Sequence, residues 1–137
     1  MSDLVTSIQP ENCTKPVFEV RIETVRNLLR VAYHGAVSAA AAKAAVDQAS
    51  ALLLELRPGF SVLTDLTGLE SMELECVPHL TRLMDLCTRR GIGTTLRVIP
   101  DPRKDIGLTI LANIHYRTGI HIVTCQSLAE AEATLSD

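Results

Sequence analysis

The strongest constraint on this chain is its succession of strand and helix patterns, in which only the first two strands follow each other directly. Residues 17–24 alternate apolar and charged side chains, and residues 28–33 follow after a short turn at Arg26-Asn27. A connection this short permits only an antiparallel hairpin. Helix and strand patterns then alternate, which predicts parallel strands with right-handed crossovers. We therefore expect an α/β fold with a mixed sheet of about five strands and four helices, in the order β-β-α-β-α-β-α-β-α.

The helix boundaries are predicted from capping and stopping residues. The start signals are Ser38, Glu73–Glu75 with Pro78, Asp101-Pro102, and a capping box of Ser127 and Glu130; the stop signals are Pro58-Gly59, Gly91 and Gly119. Further strands are predicted at residues 60–66, 94–99 and 120–124. The first of these is largely apolar, so we expect it to be covered on both faces and to lie centrally in the sheet.

Length and composition are those of one domain. The 137 residues can bury a core, and 47% apolar residues are too many for a disordered chain. Aromatic residues make up only 3%, so the core must be built mainly from aliphatic side chains. Residues 1–16 contain Pro10 and Pro16 and show little periodicity, and we interpret them as a flexible leader before a domain over residues 17–137.

Several functional classes are disfavoured by charge and patterning. The net charge of −3 gives no general attraction to nucleic acid. No apolar run approaches the about 18 residues of a membrane span, and the N-terminus lacks the pattern of a secretory signal. We therefore expect a cytoplasmic protein. The four cysteines (Cys13, Cys76, Cys87 and Cys125) form no CxxC pair, so they are expected to be thiols rather than a disulfide framework.

The segment from Phe60 to Val77 carries the polar residues that suggest a functional place. Asp65 ends an apolar strand, a turn-like Thr67-Gly68 follows, and Glu73 and Glu75 stand where a helix begins. Open α/β folds usually place their sites at the carboxyl ends of strands. Asp65 is nevertheless interpreted as a turn residue that binds backbone amides, because its neighbours complete no catalytic set. Glu73 and Glu75 are interpreted as structural residues as well, because carboxylates at this position most often stabilise the start of a helix through the helix dipole.

This segment and the element order resemble the STAS domain, named after sulfate transporters and anti-sigma factor antagonists. In that family a strand ends in a pattern like D-L-S-G-V-x-x-x-D-S-S-G-L, whose second paired serine is a phosphorylation switch at a helix N-terminus. Asp65-Leu66-Thr67-Gly68-Leu69 matches the opening, Glu73 falls on the later Asp, and Glu75 falls on the switch serine. The resemblance implies a regulatory module without that switch. Glu75 carries a fixed negative charge where a phosphoserine would carry about −2.

A second resemblance lies in residues 98–108, VIPDPRKDIGL, which are similar to uncharacterised bacterial proteins of the SpoIIAA-like group. That group is similar in fold to lipid-binding Sec14-type domains as well. Arg103 and Lys104 follow the predicted strand end, with Asp101 as the cap of the next helix. Together with the amides of the first turn they could hold an anion, although a solvated first turn is the simpler interpretation.

Cys76 is the one cysteine with a metal-like spacing, since His79 follows it at i, i+3 and His115 and His121 could join them. Zinc motifs usually bring two close pairs of ligands, and only one is present, so we expect no metal and no cofactor. Glu73 and Glu75 disfavour a thiolate at Cys76, so an ordinary thiol is expected.

The sequence therefore favours a non-enzymatic, STAS-like regulatory or protein-interaction module with a protein partner. Its predicted surface consists of Asp65, Thr67, Gly68, Glu73, Glu75 and Cys76. The alternative is a binder of an anionic or lipid-like small molecule, or an enzyme, that uses the carboxyl ends of the strands. That site would comprise Asp65, Thr67, Asp101, Arg103 and Lys104. Whether the chain forms a homodimer is left open.

Overall fold

The computed structural model describes residues 17–99 and 121–136. Its elements are β1 (Phe18–Glu23), β2 (Leu28–Val37), α1 (Ala39–Leu53), β3 (Ser61–Met72), a 3-10 turn (Leu74–Cys76), α2 (Val77–Arg90), β4 (Thr94–Val98), β5 (His121–Cys125) and α3 (Leu128–Ser136). The predicted leader over residues 1–16 and the helix predicted after Asp101-Pro102 lie outside the described residues.

The five strands form one mixed sheet in the order β1-β2-β3-β4-β5. β1 runs antiparallel to β2, and every later neighbouring pair is parallel. The predicted α/β class, the opening hairpin and the central position of β3 are thus confirmed. The described residues contain three of the four predicted α-helices.

The hairpin turn depends on Asn27, whose φ of 54° lies in the left-handed region that asparagine tolerates. Its backbone carbonyl accepts a hydrogen bond from the Ser61 N–H at 3.0 Å. Its side-chain amide donates to the Arg57 carbonyl at 3.1 Å and accepts from the Arg57 N–H at 2.9 Å. Asn27 therefore ties the predicted hairpin turn to the loop that leads into β3.

The first face of the sheet is covered by α1 and α2. The alanine-rich stripe of α1 is buried against it, as the spacing predicts. Ser38 caps α1 through its Oγ, which accepts from the Ala41 N–H at 3.2 Å. Pro78 lies in the first turn of α2, and Gly91 ends that helix at a φ of 92°. These local signals are read correctly from the sequence.

The second face is covered by α3, mainly over β3 to β5 and the first residues of β2. Six residues are buried there: Leu28, Leu63, Leu96, Val98, Cys125 and Ala131. The predicted capping box is present at the start of α3, where Ser127 Oγ accepts from the Glu130 N–H at 3.1 Å. Over β1 and β2 this face instead carries charged residues, among them Glu19, Arg21 and Arg30.

Two predicted strand ends are wrong. The second strand is predicted to end at residue 33 and Thr67-Gly68 is predicted to form a turn, but β2 continues to Val37 and β3 to Met72. The two strands stay paired because the ladder absorbs two register shifts, between Ala32 and His34 and between Gly35 and Ala36. Such irregularities let a strand bend without ending, and Gly35 takes a φ of 64° there.

Candidate functional site

Asp65 is the last residue of β3 that pairs with β4, and its partner there is Val98. Beyond Asp65, β3 pairs only with β2. One carboxylate oxygen, Oδ1, accepts a hydrogen bond from the Thr67 backbone N–H at 2.9 Å. Asp65 is half-buried, whereas Thr67 and Gly68 are exposed. The carboxylate therefore shapes the irregular strand beyond it, which is the backbone-binding role expected from the sequence.

The side chain of His34, which pairs with Gly68 across β2 and β3, leaves no room for a side chain at position 68. A Cβ built on Gly68 would lie 2.6 Å from Nδ1 of His34, far closer than real contacts allow. The absence of a side chain at position 68 thus lets the half-buried His34 imidazole lie over β3. The sequence identifies Gly68 but not His34, which lies just beyond the strand predicted over residues 28–33.

Glu73 supports a different helix from the one predicted. Its Oε1 accepts a hydrogen bond from the Ala39 N–H at 2.8 Å, at the start of α1. Its own backbone N–H donates to the Val37 carbonyl at 3.1 Å. Glu73 therefore links the end of β3 to the start of α1. The local sequence does not reveal this bond, because its two residues are far apart in the chain.

Leu74 and Glu75 form the exposed tip of the 3-10 turn between β3 and α2. Leu74 is 59% exposed, and Glu75 is exposed as well. Glu75 stands directly before α2, which begins at Val77. The Glu75 carboxylate is therefore exposed at the entrance of α2.

Cys76, the last residue of the 3-10 turn, holds the turn to the hydrophobic core. It is fully buried, and its Sγ lies 3.7 Å from the Val37 carbonyl, to which the thiol donates a weak hydrogen bond. Burial, followed by the charge of Glu73, raises the pKa of the Cys76 thiol. Cys76 is thus a packing residue and an ordinary thiol, as expected, but the prediction that it belongs to the interaction surface is wrong, because its side chain is buried in the core.

The other two cysteines of the described chain, Cys87 and Cys125, are likewise free and buried. Burial raises the pKa of Cys87 to about 12 and also raises the pKa of Cys125. Neither thiol is a nucleophile at neutral pH.

The predicted anion site of Asp101, Arg103 and Lys104 lies outside the described residues and stays a prediction. Within residues 17–99 and 121–136, His, Cys, Asp and Glu side chains form no group of three or more that could hold a metal ion. No helix in the same ranges has the length and apolar character needed to cross a membrane.

A cavity of about 220 Å³ lies on the second face of the sheet, beside Asp65. Its polar lining comes from residues on the three strands β1, β2 and β3, namely Glu19, Arg21, Arg30, His34 and Asp65. Sequence reasoning placed Glu19 and Arg21 on the outer face of β1 but did not connect them with Asp65. The missing signal was the pairing register, because alternation puts Arg30, Ala32 and His34 on that same face.

Comparison with solved structures shows a SpoIIAA-like, STAS-like fold. The chain is similar to the anti-sigma factor antagonist SpoIIAA in its unphosphorylated form, with 16% identity and a TM-score of 0.58 over 87% of this chain and 97% of that one. It is also similar to an uncharacterized DUF3478-family protein with a SpoIIAA-like fold from Shewanella loihica, with 13% identity and a TM-score of 0.62 over 89% and 96% of the two chains.

A third similar structure is an anti-sigma factor antagonist from Mycobacterium paratuberculosis, with 18% identity and a TM-score of 0.56 over 90% and 99% of the two chains. No protein-family model matches this chain, and no curated protein matches its sequence significantly. At these identities the likeness establishes the fold that the sequence resemblance predicts, and function must be argued from the surface itself.

Proposed function

We propose that this chain is a non-enzymatic protein-interaction module that binds its partner through the turn between β3 and α2. The binding residues are Leu74 and Glu75, with Glu73 beside them; we call these three residues the turn surface. The observation that carries the proposal is an exposed leucine on a turn that the rest of the fold holds in place.

The turn is fixed from three sides. Glu73, directly before Leu74, donates its backbone N–H to the Val37 carbonyl and accepts a hydrogen bond from the Ala39 N–H at the start of α1. The last residue of the turn, Cys76, is buried and donates its backbone N–H to the Glu73 carbonyl at 2.9 Å. A tip held this way loses little conformational entropy on binding, which favours affinity from a small contact.

The chemistry of the turn surface defines the partner. A single exposed leucine is ordinary on a protein surface, but here it lies between two exposed carboxylates on a pre-formed turn. An apolar centre with an acidic rim is complementary to an apolar pocket with basic residues around it. We therefore expect a protein partner with Lys or Arg next to a hydrophobic pocket.

Two of the similar structures are named as anti-sigma factor antagonists, one of them in an unphosphorylated form. In the STAS resemblance Glu75 takes the position of the switch serine, and a glutamate cannot accept a phosphate from a serine kinase. A permanent carboxylate at this position supports an interaction that is not switched by phosphorylation there.

The test is quantitative capture of partners from the native host with the tagged full chain. Leu74→Asp and Glu75→Lys should each reduce recovery of one specific protein by at least about tenfold, the usual effect at the centre of an interface. Leu54→Asp is the matched control, because Leu54 is 70% exposed at the opposite end of α1. Circular dichroism establishes that all three variants fold.

The proposal fails if the captured proteins are the same for Leu74→Asp and for the native chain. It also fails if Leu54→Asp removes the partner as effectively as Leu74→Asp, because binding would then not depend on the turn surface.

A further inference from the structure

The cavity on the second face of the sheet is separate from the turn surface and is used by no role assigned above. Its volume is about 220 Å³. That is smaller than the pockets of roughly 300–1,000 Å³ that take drug-sized ligands. It can therefore hold a small metabolite but not a peptide.

The strand register arranges the charges of this cavity in two rows. Arg21 on β1 lies opposite Arg30 on β2, which gives a cationic row. Glu19 lies opposite Ala32, and Ala32 lies opposite Asp65, which gives an acidic row with an alanine between the two carboxylates. The rows are two residues apart along each strand, which is roughly 7 Å.

The charges in these rows are only partly satisfied by the protein. Arg30 is ion-paired with Glu23 at 3.1 Å and with Glu132 at 2.8 Å. Within the described ranges, Arg21 and Glu19 make no ion pair, and Asp65 uses Oδ1 on the Thr67 N–H. An anionic group beside Arg21 would therefore gain a charge-assisted hydrogen bond and be stabilising.

We propose that the cavity binds a small zwitterion, an α-amino acid with a short aliphatic side chain. Its ammonium group lies between Glu19 and Asp65, and its carboxylate binds Arg21. Because Arg30 is already paired with Glu23 and Glu132, the lining offers one arginine, Arg21, and two carboxylates, Glu19 and Asp65. This set disfavours a simple anion and holds a partner for each charge of a zwitterion. Leu63 and Leu128 also line the cavity and provide the apolar contact for the side chain.

This proposal is independent of the turn surface, because no turn-surface residue lines the cavity. Ala32 provides a direct way to block it, since a larger side chain there would occupy the space between the two carboxylates. Asp65→Asn removes one charge while its side-chain oxygen can still accept the bond from Thr67. Asp47→Asn is the matched control, because Asp47 is exposed on α1, which covers the opposite face of the sheet.

The experiment is isothermal titration calorimetry of the full chain with L-valine, isovalerate and isobutylamine. L-valine is expected to bind saturably, and the two single-charge analogues to bind at least about tenfold more weakly, because each lacks one charge-assisted hydrogen-bonding group. Ala32→Leu and Asp65→Asn should each weaken L-valine binding by at least about tenfold. Asp47→Asn should leave it unchanged.

The proposal is overturned if L-valine gives no saturable heat at about 10 mM, a concentration that reveals even millimolar affinity. It is equally overturned if isovalerate binds as well as L-valine, which would identify a simple anion site. Unchanged L-valine binding by Ala32→Leu would also overturn it. If Ala32→Leu does not fold, Asp65→Asn and Glu19→Gln decide the same question.

Discussion

The two faces of the sheet are built for different purposes. The first face is covered by α1 and α2 and carries the larger hydrophobic core, to which β1, β2 and β3 all contribute. The second face has a smaller core under α3, and its remaining half over β1 and β2 carries charged residues. The first face therefore buries most of the apolar side chains of the described chain, whereas the second keeps charged side chains beside a smaller core.

A single strand serves both faces. Leu29, Val31 and Tyr33 of β2 belong to the first core. Arg30 and His34 point to the charged half of the second face, where they line the cavity. A register slip of one residue would exchange these two sets, so the buried leucines fix the position of the charged ones as well.

The largest expected effect compares the two cores directly. Leu29 is 0% exposed and Leu63 is 1% exposed, on opposite faces of the sheet. Leu29→Ala and Leu63→Ala should each lower the free energy of unfolding by about 2–5 kcal/mol, measured by denaturant titration. A loss at Leu63 of only about 0.5 kcal/mol, typical of a surface site, would show that α3 does not form a packed cover.

The next largest effect is a difference in the free energy of unfolding between substitutions of Glu73 and Glu75, the two glutamates of the turn surface. Glu73→Ala removes the carboxylate that accepts from the Ala39 N–H, so it should lower the free energy of unfolding by about 0.5–2 kcal/mol, as the loss of a helix cap does. Glu75→Ala is the control and should cost under about 0.5 kcal/mol, because Glu75 is exposed. Equal losses would mean that Glu73 does not cap α1.

A smaller effect tests the ion pairs of the second face through pH. The hydrogen bond from Arg30 is the main reason that the pKa of Glu132 lies below its ordinary value of 4.5. A lowered folded-state pKa gives stability that is fully present above pH 4.5 and is lost as the pH falls through the folded-state value.

We expect this contribution to stay under about 1 kcal/mol, because the Glu132 side chain is 40% exposed. Glu132→Gln should therefore lower the free energy of unfolding slightly at neutral pH and should reduce its decline in acid. An acid decline identical to that of the native chain would show that Glu132 is not the residue responsible.

The smallest effect is expected at Glu19. It is exposed on the edge strand, so Glu19→Ala should change the free energy of unfolding by less than about 0.5 kcal/mol. Denaturant titration checks this directly. A loss close to that of Leu29→Ala would mean that the charged half of the second face contributes to the core after all.

Much of the fold could be predicted from local signals. The apolar run before Asp65 predicts the central strand, and Ser38, Pro78 and Gly91 mark helix boundaries that the structure confirms. These residues act through bonds to near neighbours or through their own backbone preferences, so a window of a few residues contains the information.

The rest depends on pairing between distant segments. The continuation of β2 and β3 past His34 and Gly68 requires two register shifts that no single segment reveals. Glu73 binds a backbone amide 34 residues away. The cavity appears only when the register brings β1, β2 and β3 together, so its charges looked like separate surface residues in the sequence.

The central claim, that the turn surface meets a protein partner, is tested most directly by photo-crosslinking in living host cells. A photo-reactive phenylalanine analogue replaces Leu74 in one strain and Leu54 in another; both side chains are exposed, at 59% and 70%. Irradiation should give one defined adduct with a second protein from position 74 and none from position 54. Equal adducts from both positions, or none from position 74 in a folded chain, would contradict the account.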